Sequence, residues 1–359
     1  MGGGVFGAVT AFELARAGLG VTLVDRDPPG AHASGRNPAN LNPILGTPPE
    51  LLPLALASFR LHAELQASLA EVGCGDYRLA DVRRVLVWCD EAERGALDAV
   101  AAAFAGQHGF ASSRLDGRDL ALLEPRVAGA ARGGVLLDGN RSLDAAAFNR
   151  ALLEAVARHG GRLLRAAVRR IEPRSGGFRV SVADAATIDC RTVVLATGPW
   201  VAECREWLAV DLPVRPVRGQ MARVTLPGGP LHVDVTHGPI SLYRRGAEAT
   251  WVGATREEAG FDERPTAHGL QSLLDTAAKF VPVVREATVV DHMAALRPTT
   301  PDGLPLIGPV PGHEGVYVAN GGGGKGMLLC AAAGRAIRDL VVDGGTSLPI
   351  GARVGERVA

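Results

Sequence analysis

Gly2, Gly4 and Gly7 in MGGGVFGAVTAFELARAGLGVTLVD spell G-x-G-x-x-G, and Asp25 closes the same stretch. Glycines at this spacing let a chain turn tightly from strand to helix, bring a pyrophosphate against the backbone, and pack the helix closely on its sheet. The helix N-terminus then offers N–H groups and partial positive charge to phosphate. An acid ending the next strand accepts hydrogen bonds from an adenosine ribose. The stretch therefore reads as a dinucleotide site, with one defect: the buried strand that should lead into the turn is reduced to Met1. That strand is central in a doubly wound sheet, so the expectation is a natural chain that begins upstream with an apolar strand.

A second group repeats this logic near the other end. Gly323, Gly324, Lys325, Gly326 and Met327 lie in NGGGGKGMLL, between an apolar strand at 316–319 and a helix over 327–342. Backbone N–H groups there would face something electron-rich. Lys325 is one of two lysines in the chain, Lys279 being the other. Ser34, Arg36, Asn37 and Asn40 sit in a Pro-, Gly- and Asn-rich loop, which either lines a cofactor or is a solvated surface loop. The cysteines (Cys74, Cys89, Cys190, Cys204, Cys330) show no C-x-x-C and no His/Cys spacing for a metal; reduced thiols and no metal site are expected.

The elements that must position these residues follow from periodicity and turn chemistry. Helices are expected over 8–17, 51–72, 91–104, 114–124, 142–159 (capped by Ser142 or Asp144), 266–280 and 327–342. Strands are expected at 21–24 and 82–89, in a meander over 162–195, in short runs through 213–253, and at 289–296. Hydrophobic residues make up 47% and charged residues 21% of 359 positions, with zero formal net charge. That balance carries no footprint of a nucleic-acid partner or an acidic membrane surface. No signal peptide or spanning segment is apparent, so a cytoplasmic protein is expected, peripheral to the inner membrane if it is quinone-linked.

GGGVFG…VTLVD, TVVLATGPW, ALRPTTPDGLPLIGP and VANGGGGKGMLL together resemble the D-amino-acid-oxidase superfamily of FAD enzymes, in its glycine oxidase, sarcosine oxidase and D-amino-acid dehydrogenase branch. The resemblance implies an α/β (α+β) fold: a Rossmann-like FAD-binding domain, here lacking its first strand, and a second domain on a large, mainly antiparallel sheet. The FAD domain would be discontinuous, over 1–75, 145–212 and 298–359, with the substrate domain over 76–144 and 213–297. FAD would be held by Gly2, Gly4, Gly7, Asp25, Val168, Ala196, Thr197, Gly198 and the 323–327 loop, with the Ser34–Asn40 loop beside the pyrophosphate and flavin.

Arg297 would bind a substrate carboxylate, alone or together with Lys325, since a guanidinium fork suits a carboxylate. The branch's substrate-site tyrosine has Ile240 or Ser241 in its place, and Tyr243 or His237 could fill the role; His232 and His292 read as structural or surface residues. The implied activity oxidises the C–N bond of a small or N-substituted amino acid to an imine by hydride transfer to flavin, with oxygen or another acceptor taking the electrons. Alternatives are an FAD-dependent 2-hydroxy-acid dehydrogenase and a non-catalytic FAD-binding subunit of a larger oxidoreductase. Assembly as a homo-oligomer or within an oxidoreductase complex is left open.

Overall fold

The computed structural model of the chain describes residues 1–183, 186–246, 249–351 and 354–357. Its first helix starts where the glycines predict. Gly4 is the N-cap of Val5–Arg16, whose Val5, Phe6, Val9, Phe12 and Leu14 are all buried. Gly18 follows the helix at a φ of 85°, and the strand Thr22–Asp25 comes next. The chain divides into two compact units: Met1–Arg78, Asp144–Val217 and Leu296–Ala359, and Leu79–Leu143 with Arg218–Ala295.

In the first unit, Val5–Arg16 packs on Gly326–Val342, which also carries Leu52–Glu71. Gly334 permits the first of these crossings, because a Cβ there would lie 2.5 Å from Val9 Cγ1. Two side chains from Leu52–Glu71 secure the second. Ser58 Oγ donates to Leu328 O at 2.7 Å and accepts from Ala332 N–H at 2.9 Å. His62 Nε2–H is shared between Met327 O at 3.1 Å and Leu328 O at 3.0 Å. Both residues are fully buried, so these bonds pin the first turn of the glycine-loop helix without competition from water.

The parallel strands of this unit fall into two groups. Thr22–Asp25 pairs with Arg162–Arg165. Val193–Leu195 pairs with Val316–Asn320, which pairs on its other side with Leu306–Pro309. Between Thr22–Asp25 and Val193–Leu195 runs a groove of about 1110 Å³, lined by Met1, Leu23, Val24, Phe178, Val193 and Val194 among others. Met1 and Gly2 already bridge it. Gly2 N–H donates to Val24 O at 2.8 Å, Ala196 N–H donates to Met1 O at 2.9 Å, and the Met1 ammonium donates to Val194 O at 2.8 Å. Donating to one residue and accepting from the second one on is how a parallel strand pairs. Met1 and Gly2 thus pair as strand residues between the two groups, in line with the groove.

The second unit is built on a mainly antiparallel sheet in which Ala249–Gly253, Ile240–Arg245, Asp234–His237, Ala80–Trp88 and Gly133–Ser142 are successive neighbours; Asp234–His237 and Ala80–Trp88 run parallel. Val85, Val87, Leu136, Val235, Ile240, Leu242 and Val252 turn to one face, where they pack with Leu273 and Phe280. Two expectations change here. Ser142 ends a strand, and Asp144 caps Ala145–Arg158 by accepting Ala147 N–H at 2.9 Å. Within 114–124, Arg114 belongs to the strand Ala111–Leu115, and only Gly117–Leu123 is helical. The strand Gly133–Ser142 is hidden in the sequence by turn-like residues; Gly133 is required because any Cβ would strike the Trp88 ring. No helix among the described residues is long and apolar enough to cross a membrane.

Candidate active site

Three separated motifs meet around the start of Val5–Arg16. Gly2 has a φ of 93°, and a Cβ on it would collide with Ala196 O. Only glycine adopts that conformation without strain, so the first turn and the Ala196–Thr197–Gly198 turn press together backbone to backbone. A Cβ on Gly7 would in turn collide with Gly2 O, which explains the third glycine of the fingerprint. Asn320 Nδ2–H donates to Gly198 O at 2.9 Å, tying the Val316–Asn320 strand to the same place. The Phe6 ring lies against Gly322, where a Cβ would be 2.9 Å from Phe6 Cζ. The two glycine loops are therefore neighbours.

Neither Val5–Arg16 nor Gly326–Val342 has an acidic residue in its first turn. Their N-terminal partial charges are not neutralised locally, which suits phosphate and an electron-rich ring edge. Asp25 is oriented by two amides: Gly3 N–H donates to Oδ2 at 2.6 Å and Asp27 N–H to Oδ1 at 2.9 Å. A carboxylate has about four acceptor sites, so lone pairs remain for ribose hydroxyls. Ser34 Oγ accepts Val5 N–H at 2.9 Å, closing the loop over the helix start. Asn40 Oδ1 is buried with no hydrogen-bond partner among the described residues, an acceptor in want of a donor. Val168 opens the strand Val168–Arg174 and packs in the same apolar cluster as Val24 and Leu195. Glycines that exclude a Cβ, an oriented acid and an orphaned acceptor fit a bound FAD.

The other predicted residues take more varied parts. Asn37 Nδ2–H donates to Ala33 O at 2.8 Å and Ser34 O at 3.0 Å, and its Oδ1 accepts Ala39 N–H at 2.8 Å. Its side chain shapes the loop itself. Arg36 is half-buried in that loop. Lys325 Nζ donates to Asn42 O at 3.1 Å and Leu45 O at 2.8 Å, so the ammonium ties the glycine loop to residues 42–45. Arg297 is half-buried near the end of the strand Thr288–Thr299. Three residues on, the Thr300 methyl lies against Gly321, where a Cβ would be 2.8 Å away. The arginine's strand thus finishes beside the second glycine loop.

In the second unit, Ser241 pairs with Gly253 and Tyr243 with Trp251, so the two share a face opposite Ile240 and Leu242. Ile240 belongs to the core. Ser241 Oγ is 2.8 Å from Thr236 Oγ1. The Arg84 and Arg245 guanidinium groups lie 5.0 and 5.1 Å from the centre of the Tyr243 ring; Asp234 pairs with both. His237 bonds Glu93. His232 is exposed, with its Nδ1 3.3 Å from Leu123 O, and burial lowers the His292 pKa. Ser58, His62, Asn320 and Thr300 went unnoticed in the sequence. Their partners lie far along the chain, and only the glycine-loop context of Asn320 offered a signal.

Residues 1–340 match the model of the family described as DAO, FAD dependent oxidoreductase. The chain belongs to this family. As a flavoprotein of that family it is 30% identical over 359 residues to a glycine oxidase of Pseudomonas aeruginosa, covering 95% of this chain and 93% of that one. A glycine oxidase of Pseudomonas putida is 40% identical over 154 residues, which is 42% of this chain and 41% of that one. Among solved structures, glycine oxidase from Geobacillus kaustophilus superposes with a TM-score of 0.90 at 30% identity, covering 97% of this chain and 94% of that one.

Proposed function

We propose that this flavoprotein oxidises the C–N bond of a small or N-substituted amino acid, giving an imine that water hydrolyses to an oxo acid and ammonia or an amine. Full-length similarity to glycine oxidases supports the reaction class. The observation that carries the site is Arg297, the half-buried guanidinium whose strand ends beside the glycine loop. Its fork would hold the substrate carboxylate in two parallel charge-assisted hydrogen bonds. Bound FAD supplies the hydride acceptor, and oxygen or another acceptor then takes the electrons.

The chain's own contribution is position and field. Arg297 fixes one end of the substrate, so the Cα–H has one preferred direction of approach. The start of Gly326–Val342, held by Ser58 and His62, would offer its N–H groups to the electron-rich edge of a bound flavin. Lys325 keeps the loop closed over residues 42–45 and adds positive charge nearby. An amine bound in its neutral form needs no general base.

The test is Arg297→Ala, assayed anaerobically by flavin bleaching with glycine, sarcosine and D- and L-amino acids. Loss of hydrogen bonds to a charged group costs about 1.5–3 kcal/mol, so KM should rise roughly 10- to 150-fold while flavin absorbance is kept. An unchanged KM for every amino acid that bleaches the wild type would refute the assignment. Absence of ammonia or amine among the products would refute the C–N chemistry.

A further inference from the structure

We propose that Cys89, Glu93 and His237 form a divalent-metal site in the second unit, and that zinc is the ion its donors suit. The sequence shows no metal spacing because the ligands come from two elements. Ala80–Trp88 and Asp234–His237 are adjacent parallel strands, with Leu86 opposite Thr236. They end at the same edge of the sheet, so Cys89 and His237 emerge together. Asp90 then caps the helix Glu91–Ala105 by accepting Glu93 N–H at 2.9 Å. That turn folds Glu93 back over the strand end, where its carboxylate accepts Cys89 N–H at 2.7 Å.

One ligand atom from each residue, Cys89 Sγ, a Glu93 oxygen and a His237 ring nitrogen, lies within 4.8 Å of the others. Three ligands about 2.0–2.3 Å from a shared ion sit roughly 3.3–3.8 Å apart, so side-chain rotations of about 1 Å close the triangle. His237 Nε2 already lies 3.0 and 3.1 Å from the Glu93 oxygens. Its ring is steadied by Phe280, with centroids 5.4 Å apart. All three residues are half-buried, within reach of an ion from solvent.

The donor set selects the ion. Magnesium and calcium take oxygen ligands, whereas thiolate with imidazole and one carboxylate suits zinc. Burial, and then the Glu93 and Asp90 carboxylates, push the Cys89 thiol above its ordinary value; a dication would reverse that balance. On binding, the thiol loses its proton to water as the S–Zn bond forms. The imidazole proton that Nε2 now directs at Glu93 passes to water while Nδ1 takes one up, so the neutral ring binds the ion through Nε2. Two anionic ligands then balance the dication.

Full-length flavoprotein stripped with chelator, incubated with Zn2+ and desalted should hold one zinc per chain by elemental analysis. Cys89→Ser and His237→Gln should each weaken zinc binding by at least about tenfold in competition with a chromogenic chelator, with flavin content unchanged. A second measurement needs no variant. Zinc should slow iodoacetamide labelling of Cys89 in the wild type by at least tenfold, read by peptide mass spectrometry, and leave Cys74, Cys190, Cys204 and Cys330 unaffected. Loss of all zinc on desalting, zinc affinity unchanged in flavin-loaded Cys89→Ser, or Cys89 labelling indifferent to zinc would each overturn the proposal.

Discussion

The groove between Thr22–Asp25 and Val193–Leu195 can be filled by extending the chain with about five apolar β-formers before Met1, enough at ~3.3 Å per residue to run alongside all of Val21–Val24. Each Val or Ile buried there contributes about 1.5–3 kcal/mol, and about six new ladder hydrogen bonds contribute ~1 kcal/mol each. Ordering the segment costs about 2 kcal/mol per residue. Taking the lower burial figure for all five side chains, the favourable terms exceed the cost by about 3.5 kcal/mol. Unfolding entropy near 2.1 cal/mol/K per residue, over 359 residues, converts that gain into a Tm increase of ~5 °C. The extension also replaces the Met1 ammonium, now hydrogen-bonded to Val194 O inside the groove, with an amide. Gly2 and Gly4 would be held from both sides, so FAD should dissociate more slowly. Differential scanning fluorimetry and flavin release on dilution read both effects, with a Gly-Ser-Pro extension of equal length as control. Equal Tm and equal flavin release for the two extensions would refute this reading of the groove.

Other outcomes follow from single groups. Asp25→Ala should weaken FAD binding by roughly tenfold or more, because the carboxylate anchors Gly3 and Asp27 N–H and would lose its proposed bonds to the ribose; flavin fluorescence titration checks it. Lys325→Met should lower Tm and speed flavin loss, since Asn42 O and Leu45 O lose their donor, while its effect on KM stays smaller than that of Arg297→Ala. Burial holds the Met1 ammonium below its ordinary pKa of 8.0. The unfolded chain therefore binds more protons below pH 8, and stability should rise with pH through the window ending at 8.0. Urea melts across that window check the sign, and the apolar extension should remove that component.

The site divides along the same physical line as the fold. Gly2, Gly4, Gly7 and Asp25 could be read directly, because a tight turn, a helix start and a strand-ending acid are local events within 25 residues. Helices with clear apolar faces, such as Leu52–Glu71 with a proline in its first turn and Ala267–Ala277 with its Thr266 cap, were legible for the same reason. What tertiary structure alone decided was which distant groups meet. Lys325 reaches Asn42 and Leu45, Ser58 and His62 clasp Leu328, and Gly133 yields to Trp88. Tyr243 received its face from pairing with Trp251, which no single strand pattern specifies. Cys89 and His237 lie far apart along the chain, and became neighbours only when two parallel strands ended together. Periodicity and caps are properties of neighbouring residues; packing and register are properties of the closed fold.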